Sequence, residues 1–593
     1  MKSQILNRQN KLLNNEPIDL LSYFQQPLSA RQKHYEAVRA VVVDQQSAET
    51  VAQRFGYTTT TVYSLVRDAK AGKLELFPSV SRGPQGPRTD PQIQQQMIAY
   101  RRQGLSCTEI AWRLADDGIQ ISARTVERLL KAAGFKKLPR RTNKALGRSV
   151  SNTLIAEPAR PLNIATLAPF RVDCPVAGVF FFIPYIVESG LLEIVSQCQF
   201  PTSSRIGATQ ASLSILLLKL IGGKRLSHIS HYDQEPGLGL FADLNRLPKA
   251  TYMSTYSCGC RETQVLEFQA QLMRRFVQTY PEFYSSEFIN LDFHSIPHYG
   301  DESAMEKIWC GARGKTMKAA NTVFAQDSQS NAILYTRADI LRSEESQEVK
   351  KFVRYWRSLH GDPIETLVFD CKFTTYKILD ELTAAQVKFI TLRKRHASLL
   401  SATAALPQKD WQTVMLPIPK RKYTRLSVYE QPVKLTDCTH TFRQIIIKDH
   451  GRSTPTFVIT NNDNVSLTQI LEVYAKRWHI EQKLAELVAF FNLNALSSPL
   501  MIRIHFDILW TLIADTLYHR FAQDLRRFEH ARAPQLFKKF VDMPGKVVYN
   551  GDTFLIKIRK RAHTPILKEV EKLQTPFQVP WLNDKSMEII WTA

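Results

Sequence analysis

The sequence predicts a multidomain protein with N-terminal all-α units, followed by an α/β core interrupted by a β-rich insertion. Three observations predict it. Two short helical patterns with matching caps and turns lie within the first 138 residues. From Glu287 the apolar periodicity changes from helical to alternating, the mark of strands. A run of short strand-like segments at about 398–450 then delays the return of helical periodicity.

The chain has 593 residues and 78 Lys+Arg against 55 Asp+Glu, a formal charge of +23 and a pI near 9.6. Such an excess points to a polyanionic partner, nucleic acid before an acidic membrane surface. Hydrophobic residues make up 44%, which excludes a disordered basic tail. The longest apolar stretch, Cys174 to Val187, contains Pro175, Gly178 and Pro184 and is shorter than the roughly 18 residues of a membrane span. The N-terminus has no secretory apolar region, so a cytoplasmic, nucleoid-associated protein with no membrane partner is expected. Of eight cysteines only Cys258 and Cys260 are close together, so reduced thiols are expected rather than a structural zinc.

The predicted organisation is a first helix-turn-helix domain over 1–78, a linker over 79–92 and a second helix-turn-helix domain over 93–138. A basic connector follows over 139–164 and a helical domain over 165–280. The α/β core occupies 281–397 and 451–530, the insertion 398–450, and a C-terminal region 531–593.

In the first unit Ser47 caps a helix, Ala52 is small where two helices cross, Gly56 makes the turn and Val62 packs the second helix back. Thr58, Thr59, Thr60, Thr61, Tyr63 and Arg67 then face a major groove or its phosphates. In the second unit Ser106 and Glu109 form a capping box, the turn runs from Asp116 to Ile121, and Ser122 starts a helix exposing Arg124 and Arg128. Either unit alone could be an ordinary helical hairpin; two in tandem in so basic a chain favour DNA binding. The linker Ser79–Thr89 and the connector Lys136–Lys144 add positive charge, the latter suited to a phosphate backbone. Residues 165–280 read as apolar and helical, a support or dimer surface without chemistry.

Alternation from Phe288 places Asn290, Asp292 and His294 on one face of a strand. Extended runs follow at Lys315–Phe324 and Ala332–Ala338, then a helix at Ser346–His360. Thr366–Asp370 is continuously apolar, as a strand covered on both faces must be. Thr374 caps a helix at Tyr376–Leu382, and Val387–Leu392 returns as a strand. Three antiparallel strands, a helix, a strand, a helix and a strand give the order of a ribonuclease H-like core. In that fold an acid on the first strand lies beside one at the end of the fourth. Glu481 falls in a long amphipathic helix, Ser466 to about Asn492, on the stripe of Tyr474 and Trp478. A buried carboxylate costs several kcal/mol unless a cation compensates it. Asp292, Asp370 and Glu481 together suggest a shared divalent cation site for phosphoryl transfer on nucleic acid. His294 and His298 do not complete a zinc site with Asp292, because four residues of strand run too far.

On these residues the chain resembles bacterial insertion-sequence transposases of the DDE class, in the branch whose second Asp and Glu are separated by a β-rich insertion. Asp370 follows Asp292 by 78 positions and Glu481 follows Asp370 by 111. Tyr474, Arg477 and Glu481 match the branch signature Tyr-x2-Arg-x3-Glu-x6-Lys, while Val488 replaces its Lys; Lys483 or Lys476 are candidate substitutes. The resemblance covers about Glu287 to Leu517, and the tandem N-terminal units leave the subfamily open.

It implies binding to the ends of a mobile element, strand cleavage and strand transfer. It further implies two Mg²⁺ or Mn²⁺ ions on Asp292, Asp370 and Glu481, and a homodimer or higher oligomer on double-stranded DNA. Arg477 is either a phosphate contact or half of an i,i+4 ion pair with Glu481. Tyr474 and Trp478 could stack on DNA, although core packing is preferred. Lys420, Arg421 and Lys422, with Lys557–Arg561, read as DNA tracks. Ile504–Leu517 reads as a core helix and Val547–Arg559 as a hairpin with an Asn-Gly turn. The rivals are a DNA-binding regulator without catalysis and a metal-dependent nuclease without strand transfer.

Overall fold

The computed structural model describes residues 29–77, 89–138, 157–300, 305–360, 366–416, 423–495, 498 and 500–592. The chain divides into two compact units at Thr89/Asp90.

The first unit holds α1 (Ala30–Val42), α2 (Ala48–Phe55) and α3 (Thr59–Lys70). Each begins where a hydroxyl (Ser29, Ser47, Thr58) accepts a backbone N–H three residues on. Gly56 closes α2 at φ 64°, a left-handed turn that costs glycine little. Val51, Ala52, Phe55 and Val62 bury against Ala37 and Ala40.

The second unit opens with three further helices, α4 (Pro91–Arg102), α5 (Cys107–Asp116) and α6 (Ala123–Ala132). The Ser106/Glu109 capping box is formed in both directions, and Ser122 caps α6. Arg102 Nη1 lies 2.6 Å from Asp339 Oδ1, which ties α4 to the main body.

A helical layer follows, with β1 (Phe170–Cys174) inside it and α7 (Ala208–Leu220) and α8 (Glu262–Thr279) as its long members. β1 has no counterpart in the mostly helical reading of 165–280. It pairs with the C-terminal β12 (Gly545–Tyr549) in a sheet ordered β1–β12–β13–β15–β14, where β13 is Thr553–Arg559, β14 Phe577–Val579 and β15 Lys585–Thr592. Five residues are too few for periodicity to separate a strand from flanking apolar helices.

The large sheet contains β2 (Phe288–Pro297), β3 (Lys307–Cys310), β4 (Lys315–Asp327), β5 (Ile333–Arg337), β6 (Thr366–Phe369), β7 (Phe389–Leu392), β8 (Gln412–Met415), β9 (Arg425–Lys434), β10 (Thr441–Lys448) and β11 (Thr456–Thr460). Its order is β3–β4–β2–β6–β7–β11–β10–β9–β8, with β5 also on β4. β2 is antiparallel to β4 and parallel to β6, and β6 is parallel to β7. The inserted strands thus extend the edge of the same sheet through the antiparallel β7–β11 pair. α9 (Glu348–His360) and α10 (Tyr376–Ala384) connect the parallel strands.

Two local expectations change. Thr375, not Thr374, caps α10, accepting from Ile378 N. The helix expected over Ser466–Asn492 is two helices, α11 (Leu467–Lys476) and α12 (His479–Ala489). At the break the backbone tightens, with Arg477 N bonded to Tyr474 O at 3.2 Å and Ile480 N to Arg477 O at 3.1 Å. Neither glycine nor proline marks it, so periodicity reads straight through.

α13 (Met501–Gln523) is buried on nearly every side and crosses α7 in the core. No single helix among the described residues is long and apolar enough to cross a membrane; the apolar pair Ala177–Glu188 and Leu191–Gln197 is bent by 65°, and Phe180, Phe181 and Phe182 within it are fully buried in the core. Lys219 Nζ and Asp507 Oδ1 meet at 2.9 Å between α7 and α13, with side chains 4% and 11% exposed. Asp507→Ala strands the ammonium and should cost about 3–5 kcal/mol in urea unfolding, while Lys219→Met with Asp507→Leu should recover most of it. Equal stability of the single and double variants would contradict this.

Candidate active site

Register brings the first two acids together. Leu291 on β2 is paired in parallel with Phe369 on β6, so Asp292 and Asp370 are the next residue on each strand. An aromatic clamp holds the pair of strands here: the rings of Phe293 and Phe373 stack with centroids 3.9 Å apart and planes 12° apart. Lys372 Nζ lies 4.7 Å over the Phe293 ring and forms an ion pair with Glu345 at 2.8 Å.

The helix break supplies the remaining groups. From the end of α11, Arg477 Nη1 lies 3.8 Å from Asp292 Oδ2, and Nη2 donates to Glu481 Oε1 at 3.2 Å. Its guanidinium stands 5.9 Å over the Tyr474 ring. The Arg477 side chain is 14% exposed and that of Glu481 59%. The i,i+4 pair with Glu481 therefore forms, and the same guanidinium also faces Asp292.

Burial raises the Asp292 carboxyl to about 6; Arg477 opposes this, while Glu481 and Asp370 add to it. Burial works against the Arg477 charge, but Tyr474, Asp292, Glu481 and Asp370 outweigh it and hold the guanidinium above its usual range. The 3.8 Å approach is too long for a hydrogen bond, and Arg477 Nη1 is buried without a hydrogen-bond partner among the described residues. Asp292 is thus only partly compensated. The donors are hard carboxylate oxygens, which suits Mg²⁺ or Mn²⁺. Among the described residues no three of His, Cys, Asp and Glu stand close enough to share an ion. Arg477 lies between Asp292 and Glu481.

Other expected residues sort differently. Tyr474 packs against the second hydrophobic cluster, while Trp478 is 47% exposed because the break turns it off the buried stripe. That corrects the core-packing expectation for Trp478. Val488 packs on the core. Lys483 cannot replace the missing phosphate contact: its Nζ is 2.7 Å from Asp515 Oδ1, with side chains 10% and 6% exposed. Lys476 stays 47% exposed. His294 Nε2 lies 2.7 Å from Asn494 Oδ1, so that ring nitrogen is engaged.

Thr58 and Thr61 bond to each other at 2.7 Å, and Thr59, Thr60, Tyr63 and Arg67 are exposed along the same helix start. Arg124 and Arg128 are exposed on α6. Lys420, Arg421 and Lys422 lie outside the described residues. Sequence reasoning missed the Phe293–Phe373 clamp and the Lys483–Asp515 pair that fastens α12 to α13. Phe373 stands alone among polar residues after Asp370, so no pattern singled it out, and a pair 32 positions apart leaves none.

Lys483→Ala should cost about 3–5 kcal/mol of stability by leaving Asp515 buried alone, and Lys483→Met with Asp515→Leu should restore it. Weaker DNA binding at an unchanged melting temperature would instead make Lys483 a phosphate contact.

Residues 285–517 match the sequence profile of a family described as the transposase DDE domain. No curated protein matches the chain. It is similar to a piggyBac transposase synaptic complex with hairpin DNA at 10% identity, covering 58% of this chain and 78% of that one, with a TM-score of 0.29. For a pre-cleavage Mos1 transpososome the values are 8%, 61%, 77% and 0.12. For a Mos1 mariner paired-end complex with Mn they are 9%, 62%, 79% and 0.13. Residues 285–517, which hold all three acids and the Arg477 break, are therefore similar to a transposase DDE domain.

Proposed function

We propose that the chain binds the ends of its mobile element through two helix-turn-helix units and cuts and joins DNA at Asp292, Asp370 and Glu481 on a ribonuclease H-like core. The observation that carries the site assignment is the convergence of all three carboxylates around Arg477, with Asp292 and Asp370 adjacent in register. The strand order β5–β4–β2–β6–β7, with β2 central, supports the core assignment. The caps, Gly56 turn and outward Thr59, Thr60, Tyr63, Arg67, Arg124 and Arg128 support the readers. Lys420, Arg421 and Lys422 remain proposed DNA contacts. The assembly on DNA is a homodimer or higher oligomer acting in the cytoplasm.

In cleavage a water oxygen bonds to the scissile phosphorus, the P–O3′ bond breaks, and the strand leaves with a 3′-hydroxyl. In joining that hydroxyl oxygen bonds to a target phosphorus, the P–O3′ bond of the same target strand breaks, and the hydroxyl proton is released as the target strand leaves with its own 3′-hydroxyl. Asp292, Asp370 and Glu481 are the residues that would hold divalent ions, which when bound would supply activation of the attacking oxygen and stabilisation of the leaving one. Arg477 orients a non-bridging phosphate oxygen, a task suited to its planar fork. Tyr474 supports the guanidinium from below.

Asp292→Asn, Asp370→Asn and Glu481→Gln should each abolish Mn²⁺-dependent cleavage of DNA carrying the element, with DNA binding and melting temperature largely kept. Wild-type cleavage in any one of them removes that residue from the site. Arg477→Ala should slow turnover at least about tenfold, about 1.4 kcal/mol of barrier, and Arg477→Lys should recover only part. Normal turnover per folded molecule with a large loss of melting temperature would make Arg477 structural.

A further inference from the structure

The hairpin of β3 and β4 turns an aromatic ring and a lysine outward. Its strand β3 alternates exposed and buried residues: Ile308 and Cys310 face inward at 5% and 0% exposure. The Cys310 thiol donates to Ser295 O at 3.6 Å, which anchors that face. Outward stand Lys307 and Trp309, the latter 64% exposed. Beyond the turn at Gly311–Arg313, the Arg313 guanidinium lies 5.4 Å over Tyr299, itself 62% exposed. Residues 305–318 hold four cations, Lys307, Arg313, Lys315 and Lys318, and one acid, Glu306, which accepts from Arg342 N at 2.7 Å.

Trp309 exposes a large apolar ring that most folds bury, and Lys307 stands exposed two positions before it, opposite Lys318 in the ladder. A polyanion carrying aromatic rings covers the ring and meets the cations beside it.

The register also relates the hairpin to the proposed site. Asp292 pairs with Phe324 and Pro297 with Ala319, and His298 N bonds to Lys318 O at 2.9 Å. Counting by twos, Asp292, His294, Ile296 and His298 share one sheet face with Lys318, Lys307 and Trp309 across β4. Six residues of strand at ~3.3 Å each place the hairpin roughly 20 Å from Asp292. At ~3.4 Å per base, that is about six nucleotides.

We propose that this hairpin contacts unpaired nucleotides of the bound DNA, with Trp309 as a base-stacking platform and Lys307 and Lys318 as phosphate contacts. The occupant is unpaired because an indole stacks on the π face of a base, which neighbouring bases cover within a duplex. The placement relative to Asp292 rests on the proposed active site; the binding chemistry of the hairpin does not.

The test uses the full chain and fluorescence anisotropy, with metal chelated. The probes are a labelled duplex and the same duplex with a central loop of unpaired bases. Trp309→Ala should weaken binding to the looped duplex about tenfold, within the range expected for one stacked base. It should leave the paired duplex within about threefold, and Trp309→Phe should retain most of the preference. Lys307→Ala should weaken both probes and lower the salt slope by about 0.9. An unchanged affinity of Trp309→Ala for the looped duplex, or an equal loss on both probes at a normal melting temperature, overturns the proposal. So does a shift from dimer to monomer by light scattering with DNA binding unchanged, which would make the hairpin an interface between copies. Because cleavage plays no part in these measurements, full activity of Asp292→Asn would sink the active-site reading and leave the hairpin result standing.

Discussion

The structure depends on how a carboxylate is kept on the central strand of its largest sheet. Asp292 has β4 on one side and β6 on the other, and its surroundings push its carboxyl toward the neutral form. Leaving such a charge alone costs several kcal/mol. Among the described residues the guanidinium that faces it, Arg477, comes from a different part of the chain, at a point where a helix gives up regular geometry. Had α11 and α12 continued as one rod, Trp478 would have stayed on the stripe of Tyr474. The tightened turn instead exposes Trp478 and lets Arg477 face both Asp292 and Glu481. α12 can be held in that position because Lys483 grips Asp515 on α13 in the interior. Asp515 in turn holds the Lys483 ammonium above its usual range against the pull of burial.

The insertion matters to the same geometry. Its strands join the sheet, and β11, the strand that follows it, leads directly into the helices that deliver Arg477 and Glu481. The junction is fastened by side chains that take up loose backbone groups. Asn461 accepts from Phe389 N at 2.9 Å and donates to Val387 O at 2.9 Å. Asn462 donates to Thr366 Oγ1 at 2.9 Å, tying the end of β11 to the strand that carries Asp370. Any change that moves β11 against β7 therefore moves Glu481 relative to Asp292 and Asp370.

Much of this was legible in the chain because local rules and the fold agree. Alternation located Asp292, a continuous apolar run located Asp370, and hydroxyl caps located the starts of α2, α5 and α6. Glu481 was found by helical periodicity, but that same periodicity hid the break beside it, since tertiary demand rather than a Gly or Pro made it. The strand β1 was too short to see, and the joining of the insertion to the sheet edge is a matter of register, which one sequence does not carry. The Lys483–Asp515 pair was invisible for a related reason: Lys483 reads as an outward cation on an amphipathic helix, Asp515 falls in a helix read only as apolar core, and only the crossing of α12 with α13 shows both buried together.

Charge distribution sets the last constraint. The chain as a whole is strongly basic, yet the junction of β2, β6 and α12 sets three carboxylates around one guanidinium. A protein whose task ended at holding DNA would gain nothing from such an arrangement, because an acidic site repels the phosphates that the basic exterior attracts. It would also be more stable with Asp292 replaced by an apolar residue of similar size, given how little compensates it. An under-compensated acidic group in a basic chain is what the proposed reading calls for, since a further positive charge would then join it during work. The regulator reading asks the fold to keep that cost without a use for it.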